Sequence, residues 1–166
     1  MKRNSAQAFV MFALVLTLAI APFAAAGPGS DSSKEKFDGR CVKVIDGDTL
    51  VIDCDGEKRI IHLAGIDAPE LKQPMGKKIR QFVRRTVKDQ SLEVQMVPSE
   101  GPDHARVFVN GKDLSLFLAE LGFAWPAEGS AQSENIQKVS DRARNHPSGI
   151  WVDDNPEPPW EYRAAM

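Results

Sequence analysis

Four carboxylates in two short motifs are the residues of this sequence best suited to chemistry. Asp46 and Asp48 lie in Asp-Gly-Asp-Thr, and Asp67 and Glu70 lie in Asp-Ala-Pro-Glu. Either motif alone is typical of a surface turn. Both follow β-rich runs, however, and two strand ends of a meander can meet at one rim of a barrel. Carboxylates gathered there require a cation, and oxygen ligands suit calcium or magnesium, which beside a carboxylate base can promote attack on a phosphodiester.

The pattern of apolar residues predicts the elements that must position these motifs. Residues 41–54 form a predicted hairpin around the first motif, and residues 58–66 form a third strand that the second motif ends. An apolar stripe predicts a helix from Gly76 to about Asp89. The later elements are predicted as strands 92–96 and 105–109, a short helix over 114–121 and a helix from about Ser133 to before Pro147. This order is that of a five-stranded OB-fold β-barrel with helices (α+β), with one helix between strands three and four and further helices at the C-terminus.

The beginning of the chain has the pattern of an export signal. A basic start, an apolar run over residues 8–21 and small residues after it predict a signal peptide over residues 1–26. An uncleaved membrane anchor is the alternative. Residues 27–37 are then a flexible Gly/Ser-rich linker, and residues 38–166 are the folded domain with a Pro/Trp tail. We therefore expect an exported protein, periplasmic or extracellular, with no stable membrane association after cleavage.

Composition limits the kinds of partner. The 166-residue chain has a formal net charge of −2, so it is not a general polyanion-binding protein. Any contact with nucleic acid must be local, through a patch or a metal ion.

Two cysteines flank the first motif at nearly equal distance. An exported chain permits a disulfide, and an even count is consistent with one, so we predict that Cys41 and Cys54 are bonded. Two buried free thiols are the alternative.

The two carboxylate motifs with their flanking residues, 44–50 and 63–70, resemble the staphylococcal nuclease (thermonuclease-like) family. Together these two motifs are specific, and the other matching segments corroborate them. Those segments are residues 73–76, 105–113, 121–125, 149–151 and 158–163. The resemblance covers roughly residues 38–163 and implies an OB-fold nuclease that cuts DNA and RNA with calcium.

The resemblance also implies roles for residues at matching positions. Asp48 and Asp67 would be metal carboxylates, and Ala68 would offer its carbonyl oxygen to the same ion. Glu70 would orient or deprotonate the attacking water.

The sequence departs from the family where the family has two arginines, since these positions are occupied here by His62 and Pro102. His62 is therefore the candidate catalytic group at the first position, with Asp46 and Thr49 as supporting residues. Arg106 matches a non-catalytic strand position and would support the site only if the preceding loop shifts its register. Guanidinium groups stabilise developing oxyanion charge, and losing one such donor typically costs roughly 100- to 1,000-fold in rate.

Three functions remain open from the sequence. The leading one is a calcium-dependent nuclease, with calcium favoured over magnesium, that acts on DNA or RNA as a monomer. The alternative is a catalytically silent OB-fold module that binds metal and nucleic acid, or another anion, without cleavage. The third is an interaction scaffold of the cell envelope that uses the Pro/Trp tail.

Overall fold

The computed structural model describes residues 35–130 and 133–166 and contains one small β-barrel flanked by helices. The predicted signal peptide and most of the predicted linker lie outside the described residues. The strands are β1 (Lys36–Val44), β2 (Thr49–Cys54), β3 (Glu57–Leu63), β4 (Ile66–Asp67), β5 (Leu92–Met96), β6 (His104–Val109), β7 (Lys112–Asp113) and β8 (Trp125–Pro126). The predicted linker boundary is two residues too late, because Lys36 and Phe37 already pair with β5.

The barrel is built from five of these strands in the order β3-β2-β1-β5-β6 and closes through a β3–β6 pairing. The closing pair is parallel and joins His62 to His104 and Leu63 to Ala105, whereas the other pairs in the barrel are antiparallel. The short strand β7 continues from β6 through the Asn110-Gly111 turn. The predicted five-stranded OB-like barrel is thus confirmed.

The helices are α1 (Gly76–Val87), α2 (Leu114–Glu120), α3 (Ser133–Asn145) and α4 (Pro159–Ala164), with a 3-10 helix at Gly149–Val152. Helices α1 and α2 pack on barrel strands, and the other helices lie beyond them. Helix α1 lies between strands three and four of the barrel, as predicted, and buries Ile79, Val83 and Val87. Asp113 caps α2, because its side chain accepts the backbone N–H groups of Ser115 and Leu116. No helix within the described ranges has the length and apolar character needed to cross a membrane.

The predicted third strand is interrupted, which corrects the expectation of one strand over residues 58–66. Residues 64–65 form a turn in which Gly65 has a φ of +83°, a conformation that favours glycine. The chain therefore leaves the barrel after β3, and the short strand β4 pairs with β8 instead. This turn carries Asp67 and Glu70 away from the barrel sheet toward the C-terminal segments.

The predicted Cys41–Cys54 disulfide is absent, and both residues are free cysteines. Cys41 is registered with Ile52, and the β1–β2 pairing has an irregularity between Cys41 and Lys43. Cys54 therefore lies two residues past the position opposite Cys41. The Cys41 thiol instead donates to the Lys43 carbonyl oxygen at 3.3 Å, and burial raises its pKa.

The core occupies the barrel interior and the interface with the helices. Leu50, Ile52, Ile61 and Leu63 on β2 and β3 are almost fully inaccessible to solvent. Buried side chains of this kind each contribute about 1.5–3 kcal/mol through apolar burial. The strand that follows the first carboxylate motif, β2, and the barrel strand that precedes the second, β3, are thus firmly packed parts of the barrel.

Candidate active site

The loop between β1 and β2 is held by its own first carboxylate. Asp46 Oδ1 accepts the backbone N–H of Asp48 at 3.1 Å and that of Thr49 at 2.7 Å. Gly47 is buried against the second motif, since a Cβ there would lie 2.6 Å from Ala68 Cβ. The loop has no room for a side chain at this point, and the two motifs are therefore in direct contact.

Asp48 is the carboxylate that joins the two motifs. Its Oδ2 accepts the backbone N–H of Ala68 at 2.6 Å, and its Oδ1 accepts the Thr49 hydroxyl at 3.2 Å. Burial, the charge of Asp46 and the contact with the Asp46 side chain raise the pKa of Asp48 well above its ordinary value, and Asp67 adds to this. The site is therefore short of positive charge around Asp48.

Asp67 and Glu70 share one guanidinium that comes from the other end of the chain. Arg163 on α4 donates from Nη1 to Asp67 Oδ1 at 3.1 Å and from Nη2 to Asp67 Oδ2 at 2.7 Å. The same Nη1 donates to Glu70 Oε1 at 2.9 Å. The two carboxylates thus already have a cationic partner within the protein.

The C-terminal segment that carries Arg163 is attached to the body of the protein at several points. Gln73 Nε2 donates to the Glu157 carbonyl oxygen at 3.0 Å, while Gln73 Oε1 accepts the backbone N–H of Glu70 at 2.8 Å. The ring of Trp160 lies edge-on to that of Trp125, with 6.5 Å between centroids. Residues near Glu70 therefore hold the same segment that supplies its guanidinium partner.

These side chains line one cavity of about 460 Å³. Its polar lining consists of four carboxylates, two imidazoles, one hydroxyl and one guanidinium, from Asp46, Asp48, Thr49, His62, Asp67, Glu70, His104 and Arg163. The structure thus brings together the four predicted carboxylates, Thr49 and His62. His104 and Arg163 are additional members that the sequence did not indicate.

The two imidazoles lie together where the barrel closes. The rings of His62 and His104 are 5.3 Å apart between centroids, and His62 Nδ1 lies 3.2 Å from the Thr49 hydroxyl. When Asp48 is ionised, the Thr49 hydroxyl donates its proton to Asp48. The hydroxyl oxygen can then only accept from His62, so Nδ1 carries the proton and donates it to Thr49. Nε2 of a neutral His62 is then an acceptor, and it becomes a donor only when the ring is protonated.

Comparison with known proteins agrees with this architecture. Residues 60–153 match the family model described as staphylococcal nuclease homologue. The chain belongs to this family. An uncharacterized endonuclease of Escherichia coli O157:H7 is 31% identical over 129 residues, which cover 75% of this chain and 84% of the relative. The micrococcal nuclease of Shigella flexneri is 28% identical, with 78% and 82% covered, and the thermonuclease of Staphylococcus hyicus is 25% identical, with 91% and 99% covered.

Positions 102 and 106, the other two considered from the sequence, supply no guanidinium to the site. Pro102 lies in the turn before β6. Arg106 is paired with Asp113, from Nη2 to Oδ2 at 2.7 Å, and its guanidinium lies over the Phe108 ring. A supporting role for Arg106 is inconsistent with this position, because the lining of the cavity does not include it.

The donor chemistry of the site fits a hard cation. Asp48 and Asp67 are carboxylates of one cavity. Burial first, and then the charges of Asp46 and Asp67, raise the pKa of Asp48, and a bound cation would offset those charges. Ala68 donates its N–H to Asp48. Its carbonyl oxygen is the backbone atom that would bind an ion. Among the described residues, no three His, Cys, Asp or Glu side chains form a ready-made metal site. Two of the acidic groups are instead turned toward Arg163.

We expect the stability of the protein to fall as the pH drops below about 6.5, in part because of His104. Burial lowers the pKa of His104, the neighbouring His62 lowers it further, and Glu100 and Asp103 oppose the shift only partly. Its Nδ1 is buried without a hydrogen-bond partner in the described structure. The unfolded chain, with an ordinary histidine pKa of about 6.5, therefore takes up the proton first as the pH falls.

Urea unfolding at a series of pH values tests this expectation. His104→Gln should weaken the loss of stability between neutral and mildly acidic pH. His146→Gln, which alters an exposed residue just beyond α3, should leave the loss unchanged. An identical pH dependence in the wild type and in His104→Gln would contradict the assignment.

Proposed function

We propose that this protein is a calcium-dependent nuclease that hydrolyses phosphodiester bonds of DNA or RNA. The observation that carries the proposal is the single cavity in which Asp48, Asp67 and Glu70 lie beside Arg163. The relatives named nucleases support the same reaction class. We further propose that the protein is exported and acts as a monomer in the periplasm or the medium.

Asp48 and Asp67 would bind calcium together with the Ala68 carbonyl oxygen. A bound calcium ion would neutralise charge on the phosphate and polarise its oxygen atoms. The contact of Gly47 with Ala68 keeps the two carboxylates on facing loops. The protein thereby supplies oxygen ligands from both motifs.

Glu70 is the proposed general base. Its side chain is 30% exposed, so water can reach it, and Gln73 fixes its backbone N–H. Glu70 takes a proton from a water molecule, whose oxygen forms a bond to phosphorus while the bond from phosphorus to the departing sugar oxygen breaks. The second carboxylate oxygen of Glu70 accepts no hydrogen bond from Arg163 and is the atom available for this proton.

His62 is the proposed proton-dependent contact to the phosphate. Its Nδ1 is engaged by Thr49, so Nε2 is the ring nitrogen left to bind a group in the cavity that His62 lines. A protonated His62 donates from Nε2 to a phosphate oxygen, whereas a neutral one does not.

A cleavage assay on purified protein tests this function. Labelled single-stranded DNA, double-stranded DNA and RNA are each incubated with calcium, magnesium or a chelator. We expect cleavage with calcium, little with magnesium and none with chelator, and Asp48→Ala should reduce the calcium-dependent rate by at least about 100-fold.

The silent binding module predicts a different result. It would bind the labelled nucleic acid without cutting it under any of these conditions. Cleavage that is equal in Asp48→Ala and wild type would indicate a contaminating nuclease and would contradict the proposed site.

A further inference from the structure

The guanidinium of Arg163 is only partly used by its known partners. A guanidinium carries five N–H donors in a fixed plane. The three hydrogen bonds to Asp67 and Glu70 use two donors of Nη1 and one of Nη2. The donors left over are Nε–H and the second N–H of Nη2, which lie side by side on one edge of the plane. Such an edge matches two oxygens of a phosphate.

The charge of the cavity makes this edge important. Apart from Arg163, the described residues that line the cavity include no lysine or arginine, while four carboxylates line it. A phosphodiester entering the cavity is repelled by these carboxylates unless positive charge faces it. The Arg163 side chain is 45% exposed, and its hydrogen bonds to Asp67 and Glu70 leave the Nε–Nη2 edge unused. A guanidinium is always charged at working pH, so this edge carries positive charge without depending on its surroundings.

We propose that Arg163 binds a backbone phosphate of the nucleic acid through its Nε–Nη2 edge, while Asp67 and Glu70 hold its other side. This inference rests on the proposed function and names the residue that compensates for the histidine and proline found at the two arginine positions. The guanidinium comes from α4, far from both carboxylate motifs in sequence.

The attachments of α4 make Arg163 a preorganised group. Pro159 is buried, Trp160 packs on Trp125, and Glu157 is bound by Gln73. The two carboxylates fix the plane of the guanidinium before substrate arrives. A donor held in this way stabilises developing oxyanion charge without reorganisation during the reaction.

The opposite role for Arg163 is that of an internal counter-ion. In that role its guanidinium occupies the place of the metal ion and must leave before the ion binds. The two roles predict opposite changes in the cleavage rate when Arg163 is replaced. Removal of a phosphate-binding group slows cleavage, whereas removal of a group that competes with the metal ion speeds it.

Four proteins test the proposal: wild type, Arg163→Gln, Arg163→Lys and the control Arg142→Gln. Arg142 is exposed on α3 and does not line the cavity, so its variant removes the same charge elsewhere. The first measurement is the affinity for a short labelled single-stranded DNA in chelator, as a function of salt. Arg163→Gln should lower the slope of log affinity against log salt by about 0.7, and Arg142→Gln should not change it.

The second measurement is calcium-dependent cleavage. Arg163→Gln should lower kcat/KM by about 100-fold, and Arg163→Lys should recover part of the loss because lysine keeps the charge but not the fork. Circular dichroism melting shows whether each variant is folded. If Arg163→Gln is not folded, Arg163→Lys provides the test.

The outcomes separate this inference from the proposed function. A wild type that binds DNA without cutting it, with a smaller salt slope in Arg163→Gln, overturns the nuclease function and supports phosphate binding by Arg163. An unchanged slope, or faster cleavage by Arg163→Gln, overturns the inference. A wild type that neither binds DNA in chelator nor cuts it with calcium overturns both.

Discussion

Replacement of Glu70 by glutamine is expected to reduce calcium-dependent cleavage by about 1,000-fold. The amide cannot accept the proton of the attacking water, although its oxygen can still accept the hydrogen bond that Arg163 donates to Glu70. The fold and the position of the guanidinium should therefore be retained. Initial rates on labelled DNA, together with melting curves, measure the two effects separately.

A second carboxylate variant provides the control for Glu70→Gln. Glu161 is exposed on α4, two residues before Arg163, and does not line the cavity. Glu161→Gln removes the same charge and should keep wild-type cleavage. DNA binding by Glu70→Gln in chelator should be at least as tight as that of wild type, because a negative charge is lost. A rate in Glu70→Gln close to that of wild type would exclude Glu70 as the base.

Gly76→Ala should destabilise the protein by about 2 kcal/mol through overpacking. Helix propensity alone would make the alanine variant more stable by about 1 kcal/mol. The expected loss of stability is therefore opposite in sign to the effect of helix propensity. A Cβ at position 76 would lie 2.0 Å from the Glu70 carbonyl oxygen and 3.2 Å from Leu71 Cα. These are backbone atoms, so the loop that carries Glu70 must move. Denaturant unfolding measures the loss, and the cleavage rate should fall with it.

The neighbouring residue provides a matched control for this substitution. Lys77 is exposed in the same turn of α1, so Lys77→Ala should change the free energy of unfolding by less than about 0.5 kcal/mol. If Gly76→Ala were more stable than wild type, the close approach of α1 to the Glu70 loop would be refuted.

The sequence was sufficient for the barrel because its signals are local. The alternation in β5 and the apolar stripe of α1 each extend over one element, and Asp113 caps the helix that begins beside it. The break at Gly65 was missed because the apolar run continues through it, and only the pairing of β4 with β8 shows where the chain leaves the barrel. The disulfide was wrong because the pairing next to the turn, Val44 with Leu50, already places Cys54 one residue past the position opposite Cys41, and the irregularity between Cys41 and Lys43 adds a second residue.

The site was predictable to the extent that its members follow strand ends. The two acidic motifs could be placed at one rim from the order of the strands, and the cavity contains both. Arg163 could not be found in this way, because 96 residues separate it from Asp67 and no spacing rule connects them. His104 was missed for a related reason, since it meets His62 only through the parallel pairing that closes the barrel.

The edge-on contact between Trp160 and Trp125 gives the protein a built-in optical probe. Trp151 also lies against Trp125. Indole rings this close to one another couple their electronic transitions, and each ring affects the emission of its neighbour. Near-ultraviolet dichroism and intrinsic fluorescence therefore report whether α4 is docked against β8, with no added label. The docking of the segment that carries Arg163 can thus be followed in real time while metal ions or oligonucleotides are mixed with the unmodified protein.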